Sequence, residues 1–197
     1  MQREHRKYTL TPFGEGIVTL LPSLNFVFQH RDFFQTHRFD LPPPLLREIG
    51  ALSQAEVVSG LGQVLYKLKY MLEETKEYDN LLISQSLPLG LDTARKKPSC
   101  GYLIAAKSLI SQYKVSWFEP YYETLDIRIL DHVSYGIYLS DNKRAILCFP
   151  DLNSNPDYNE AYLVTDPGGL TYVKAIWEYF WNQSAFLTTK KSGVLVD

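Results

Sequence analysis

No apolar run in this chain approaches the ~18 residues that a membrane-spanning helix needs. The opening residues MQREHRKY also lack the apolar core of a signal peptide. Neither export nor membrane insertion is therefore expected, and a cytoplasmic setting is. Cysteine is scarce: Cys100 and Cys148 are the two among 197 residues, which fits a reducing compartment. Each falls beside or within a strand that reads as buried, so both are read as inert. Positive charge is not in excess either. Twenty Lys and Arg stand against 22 Asp and Glu, a net charge of −2, so the chain as a whole is no nucleic-acid electrostatic surface.

The common catalytic motifs are missing too. There is no Gly-x-Ser-x-Gly turn to present a nucleophile. Gly60 and Gly62 are followed by no Gly-Lys-Ser/Thr that would cradle a phosphate. His-Glu-x-x-His and Cys-x-x-Cys are absent. His30 and His37 lie near Asp32, Asp40 and Glu48, but their spacing fits no compact ligand pattern, so no metal and no cofactor are expected. The basic run Arg95-Lys96-Lys97 is small and reads as a solvated loop.

Aromatic residues, by contrast, are plentiful. Fourteen Tyr, ten Phe and three Trp suit a well-filled core or a pocket for a planar ligand. Thr11-Pro12 opens a helix, with Thr as the cap and Pro at the first helical position. Apolar residues from Phe13 to Phe28 carry that helix to about Phe34, with Gly14, Gly16 and Pro22 weakening or kinking it. Pro42-Pro43-Pro44 leads into a short helix over Leu45–Leu52, read as capped by Asp40. Ser53 and Glu56 read as a capping box for a central helix. Its stripe of Leu61, Val64, Leu65, Leu68, Met71 and Leu72 is core-facing.

Strands are expected at Leu81–Ser84, Gly101–Lys107, Leu125–Asp131, Tyr135–Asp141, Arg144–Phe149 and Ala161–Thr165. Asp141-Asn142-Lys143 is a tight hairpin between two of them. Asp166-Pro167 starts a final helix with a long apolar stripe. The stripe packs on the sheet or, through Leu170, Val173, Trp177 and Trp181, forms a dimer seam. The result is an α/β fold: a mixed sheet of about six strands with helices on both faces, preceded by an N-terminal helical segment.

Two strings carry a resemblance. Tyr8-Thr9-Leu10-Thr11-Pro12-Phe13-Gly14, after a basic start, resembles the last wing strand of a winged-helix DNA-binding domain entering its connecting helix. Asp32-Phe33-Phe34, His37, Leu41-Pro42 and Leu45-Leu46-Arg47-Glu48-Ile49-Gly50-Ala51-Leu52 follow in order. Together they resemble archaeal winged-helix transcriptional regulators of the methanogenesis-regulator type. That resemblance implies four parts: a wing remnant over 1–11, connecting helices over 12–52, a phospholipase-D-like sensor domain over 53–187 and a tail over 188–197. It also implies that the recognition helix is missing or lies outside this chain, so that DNA is reached only through a winged-helix region largely missing here.

The phospholipase D signature is His-x-Lys-x-x-x-x-Asp: His attacks phosphorus, Lys holds the phosphate and Asp orients the His. The register implied by the resemblance puts Ser134 at the His position, Gly136 at the Lys position and Asp141 at the Asp position. Chemistry of this kind does not survive loss of its nucleophile unchanged, and His132 falls two residues too early. No enzyme is therefore expected. The expectation is a non-catalytic, homodimeric sensor that binds a small effector at the carboxyl ends of the strands. Its candidate contacts are Ser84, Ser86, Lys107, Ser134, Tyr135, Tyr138 and Asp141. The alternatives are a degenerate phosphodiesterase, with Ser134 or His132 as nucleophile and Asp141 orienting it, and a ligand-free structural dimeriser.

Overall fold

A computed structural model describes residues 9–85, 100–112 and 125–187. The wing-like residues 1–8, Ser86, Arg95-Lys96-Lys97 and the tail 188–197 lie outside the described residues. The chain runs α1 (Pro12–Gln29), α2 (Arg31–Phe34), α3 (Pro43–Arg47), a 3-10 helix (Ile49–Gln54), β1 (Glu56–Ser59), α4 (Leu61–Glu74) and β2 (Tyr78–Ile83). It continues with β3 (Cys100–Ala106), α5 (Lys107–Gln112), β4 (Leu125–Leu130), β5 (Gly136–Ser140), β6 (Arg144–Cys148), β7 (Glu160–Val164), α6 (Pro167–Gln183) and β8 (Ala185–Phe186).

The strands form one mixed sheet in the order β1-β7-β6-β5-β2-β3-β4-β8. β2, β3 and β4 are parallel, as crossover connections require. β5, β6 and β7 follow one another as antiparallel hairpins, and β5 lies antiparallel against β2. The mixed α/β architecture is the expected one, with eight strands instead of about six among the described residues. β1 replaces the start of the central helix. Val57 and Val58 are β-branched and favour a strand, and Gly60 at φ 93° turns the chain into α4, so Ser53 and Glu56 form no capping box. β8 is two residues long and falls below any periodicity signal. β4, β5 and β6 follow one another in sequence, yet β2 and β3 lie between β4 and β5.

Thr11 caps α1 through a bond from the Gly14 amide (3.2 Å), and Asp166 caps α6 through one from Gly169 (2.8 Å). Asp40 caps nothing: Pro42 sits at the start of α3 with no side-chain bond. The first helix also ends earlier than expected, at Gln29, with His30 as the break before α2.

The sheet is covered on both faces because its strands alternate. On one face Tyr135, Ile137 and Leu139 join Leu147, Tyr162, Val173, Ile176, Trp177 and Phe180 in the larger core. Phe26, Phe33, Ile49 and Leu52 share it, so the later part of the connecting segment, from Phe26 on, packs on the core. On the other face Val64, Leu68 and Met71 of α4 cover Val58, Tyr138, Ile146, Cys148 and Tyr158. The dimer seam expected on α6 is corrected by the same packing. Val173 (0% exposed) and Trp177 (5%) are buried within their own chain. Trp181 stacks on Trp177 (4.9 Å) and on the Arg128 guanidinium (3.8 Å), which Phe186 covers from β8. Leu170, half-buried, packs against the same core.

Candidate functional site

Strand direction decides which side chains can meet. β2 and β3 end at Ile83 and Ala106, and β4 ends at Leu130. β5 runs the other way beside β2, pairing Ile137 with Leu82 and Ser140 with Asp79. The carboxyl edge of the parallel strands therefore collects Ser84, Lys107, Asp131, His132, Ser134 and Tyr135. Asp141 lies at the opposite edge beside Tyr78, its amide bonded to the Tyr78 carbonyl (3.0 Å). From Gly136 to Asp141 the chain spans roughly 16 Å at about 3.3 Å per residue. The expected set of contacts is thus split between two ends of the sheet, and Asp141 is in no position to orient Ser134 or His132.

At the carboxyl edge the polar groups are engaged structurally. The Lys107 ammonium lies 3.9 Å from the exposed Asp131 carboxylate. His132 Nε2 is 2.6 Å from the Ser154 carbonyl oxygen. Tyr135 is a core residue, not a pocket wall: it is fully buried, its hydroxyl donates to the Phe39 carbonyl (2.7 Å), and burial drives its pKa far upward. Ser134 is buried beside it. Gly136, which the resemblance puts at the Lys position, is walled in. A Cβ there would lie 2.9 Å from Tyr158 Cε1 and 3.1 Å from Cys148 Cβ. Tyr158, from the loop before β7, fills the space a lysine would need. Burial first, and the neighbouring Cys148 second, push its pKa up to about 12. Burial likewise drives the Cys148 thiol upward, away from the reactive thiolate, in agreement with the inert reading.

The other edge is built around the β5–β6 turn. Asp141 and Asn142 have φ of 47° and 52°, the left-handed pair that a primed hairpin turn demands and that Asp and Asn tolerate. The Asp141 carboxylate accepts from the amides of Lys76 (2.9 Å), Glu77 (2.9 Å) and Tyr78 (3.0 Å). Burial would raise its pKa, but the three amides outweigh burial and hold it below the usual aspartate value. Tyr138, also read as a ligand contact, is buried mid-strand. Its hydroxyl donates to Asp79 (2.7 Å) and lies 3.0 Å from Thr75 Oγ1, which is 2.6 Å from Ser140 Oγ. Beside this network opens a cleft of about 370 Å³ lined by Met71, Glu73, Glu74, Lys76, Ser140, Asp141, Lys143 and Arg144. Arg144 pairs with Glu74 across it at 2.6 Å.

His37 is a further buried polar feature. Its ring stacks on Phe33 (3.7 Å), Nδ1 meets the Phe33 carbonyl (2.9 Å) and Nε2 meets Asp157 (3.3 Å). It ties the connecting segment to the loop before β7, where the isolated bridge from His37 to Asp151 also lies. Among the described residues no three His, Cys, Asp or Glu side chains come together to hold a metal. Sequence reading missed Tyr158, Thr75 and Asp79. Tyr158 sits in an Asn- and Pro-rich loop without periodicity, Thr75 sits at a helix end, where polar residues ordinarily face water, and Asp79 is a charged residue inside β2.

The frame is an α/β fold with a mixed sheet, as the phospholipase-D-like resemblance implies, and Ser134 and Gly136 stand where that resemblance puts the His and Lys of the signature. No family model matches the sequence, and no curated protein matches it. Solved structures do. One is TrmBL2, described as an archaeal chromatin protein with a novel mode of DNA binding; it matches with a TM-score of 0.54 and 17% identity over 86% of this chain and 63% of that one. This chain thus spans less than two thirds of TrmBL2. Another is NucT from Helicobacter pylori, with a TM-score of 0.54 and 10% identity over 67% of this chain and 98% of that one. At these identities the likeness is one of fold.

Proposed function

We propose that this chain is the non-catalytic, effector-sensing module of a DNA-associated regulator, built on a phospholipase D frame that carries no phosphodiester chemistry. The observation that carries this reading is Gly136. A lysine is needed there to hold a phosphate, and the Tyr158 ring occupies the space. The likeness to TrmBL2 over 86% of the chain supports the regulatory setting, with DNA reached through a winged-helix region outside the described residues. The cleft beside Asp141, about 370 Å³, falls within the roughly 300–1,000 Å³ of small-molecule sites. Lys76, Lys143 and Arg144 line it together with Glu73 and Glu74, a mixed lining that suits a zwitterionic or polyhydroxyl effector better than a phosphodiester.

Turnover of bis(p-nitrophenyl) phosphate and of single-stranded DNA by the purified chain tests the first half. No release above buffer is expected. Hydrolysis that disappears in Ser134→Ala or His132→Ala would overturn the reading in favour of a degenerate phosphodiesterase. A thermal-shift panel of amino acids and sugars tests the second half. A stabiliser whose effect is lost in Lys143→Glu is expected, and a flat panel removes the sensing role.

A further inference from the structure

Among the described residues, little covers α1. Only its last third is docked: Phe26 is fully buried, and Ser23 Oγ donates to the Arg47 carbonyl while accepting from the Gly50 amide (3.1 Å). From Pro12 to Leu21 every residue except Gly14 is exposed. This arm is not polar. Phe13 is 79% exposed, Ile17 45%, Val18 51%, Leu20 43%, Leu21 50%, Leu24 54% and Phe28 73%, with Leu10 at 58% just before the helix. A fully exposed large apolar side chain presents roughly 150–200 Å². These fractions then leave on the order of 700–900 Å² of apolar surface in water, above the roughly 300–600 Å² patch of an ordinary monomer. Phe13, Ile17, Leu20 and Leu24 hold about half of that area, the scale of a small two-helix contact rather than of the ~800 Å² that each partner gives to a standard interface.

The spacing indicates the occupant. Phe13, Ile17, Leu20 and Leu24 recur at steps of four, three and four, the seam that one helix presents to another, while Val27, next in the series, packs on the chain's own core. Glu15 is the one charge on α1, so two copies meet without like-charge stripes along the seam. The same lack of Lys and Arg argues against a membrane surface, which amphipathic helices approach with a basic polar face. No helix among the described residues is long and apolar enough to cross a membrane. Pro22 separates the docked third from the free arm and limits strain at the body when the arm pairs.

We propose that α1 is a self-association arm, and that two copies of this chain pair through Phe13, Ile17, Leu20 and Leu24. The proposal is independent of the effector reading. Light scattering and sedimentation velocity of the full chain test it against the chain mass of 22.7 kDa. The wild type is expected at twice that mass, with a melting temperature that rises with concentration. Ile17→Glu/Leu20→Glu changes two side chains that are already exposed. It is expected to run at the single-chain mass with an unchanged circular dichroism spectrum. Phe13→Glu, at the far end of the arm, serves as the second variant should the first misfold. A wild type that stays at the single-chain mass overturns the proposal, as do folded variants that remain dimeric. A single-chain wild type that co-sediments with phosphatidylcholine vesicles would instead assign the arm to lipid.

Discussion

Asp141 carries more structure than its place in a turn suggests. Three amides from a segment more than sixty positions earlier converge on its carboxylate. Asn keeps the tolerance for positive φ but loses the charge. Charge-assisted bonds exceed neutral ones by about 1 kcal/mol, so Asp141→Asn is expected to destabilise by about 1–2 kcal/mol in a urea titration. Its folded pKa is depressed. The stabilisation is therefore full above the unfolded aspartate value of about 3.9 and is lost as pH falls through the lower folded value. The gap between wild type and Asp141→Asn should be flat from neutrality to mild acid and close below about pH 4. A gap that persists in strong acid would refute this. The residue itself was legible, since a hairpin with Asp-Asn at its tip is a local signal. Its partners were not, because no local pattern says that β2 lies beside β5. Gly136 teaches the same lesson: its place in the register could be read, while the ring that closes it comes from a loop without periodicity.

At the scale of elements, the strongly periodic segments came through well. α6 buries most of its stripe, α4 buries Val64, Leu68 and Met71 but leaves Leu61 exposed, and the Thr11 and Asp166 caps fall where the local chemistry puts them. The failures lie where tertiary context outweighs local preference. Val57-Val58 became an edge strand because β7 offered it a partner, and α6 turned its aromatics onto the sheet rather than toward a second chain. The seat of α1 depends on close approach. A Cβ at Gly50 would lie 2.5 Å from the Pro22 carbonyl carbon and 2.6 Å from the Ser23 nitrogen, both backbone atoms. Gly50→Ala should therefore push α1 off the 3-10 helix, at an overpacking cost of about 1–3 kcal/mol. Hydrogen exchange should quicken at 22–29 and stay unchanged in β5 and β6. Protection that persists at 22–29 would mean that α1 is held by its other contacts.

For the whole molecule, the class and mixed character of the sheet could be read from the order of elements, whereas the strand order could not. Alternation predicts faces, not neighbours. That order has a kinetic consequence. The sheet is assembled from two contiguous blocks, β2–β4 joined by crossovers and β5–β7 joined by hairpins, which meet where Asp79–Leu82 pair with Ile137–Ser140. Hairpins close in about 1–10 μs, whereas pairings distant in sequence pay loop-closure entropy and form late. The β2–β5 pairing should thus be among the last steps of folding. Asp141, which bridges the two blocks at one end of that pairing, would act as a clasp fastened after the barrier. Stopped-flow measurements on Asp141→Asn should show an almost unchanged refolding rate and faster unfolding. Slowed refolding instead would mean that the two blocks find each other first and shape themselves around that contact.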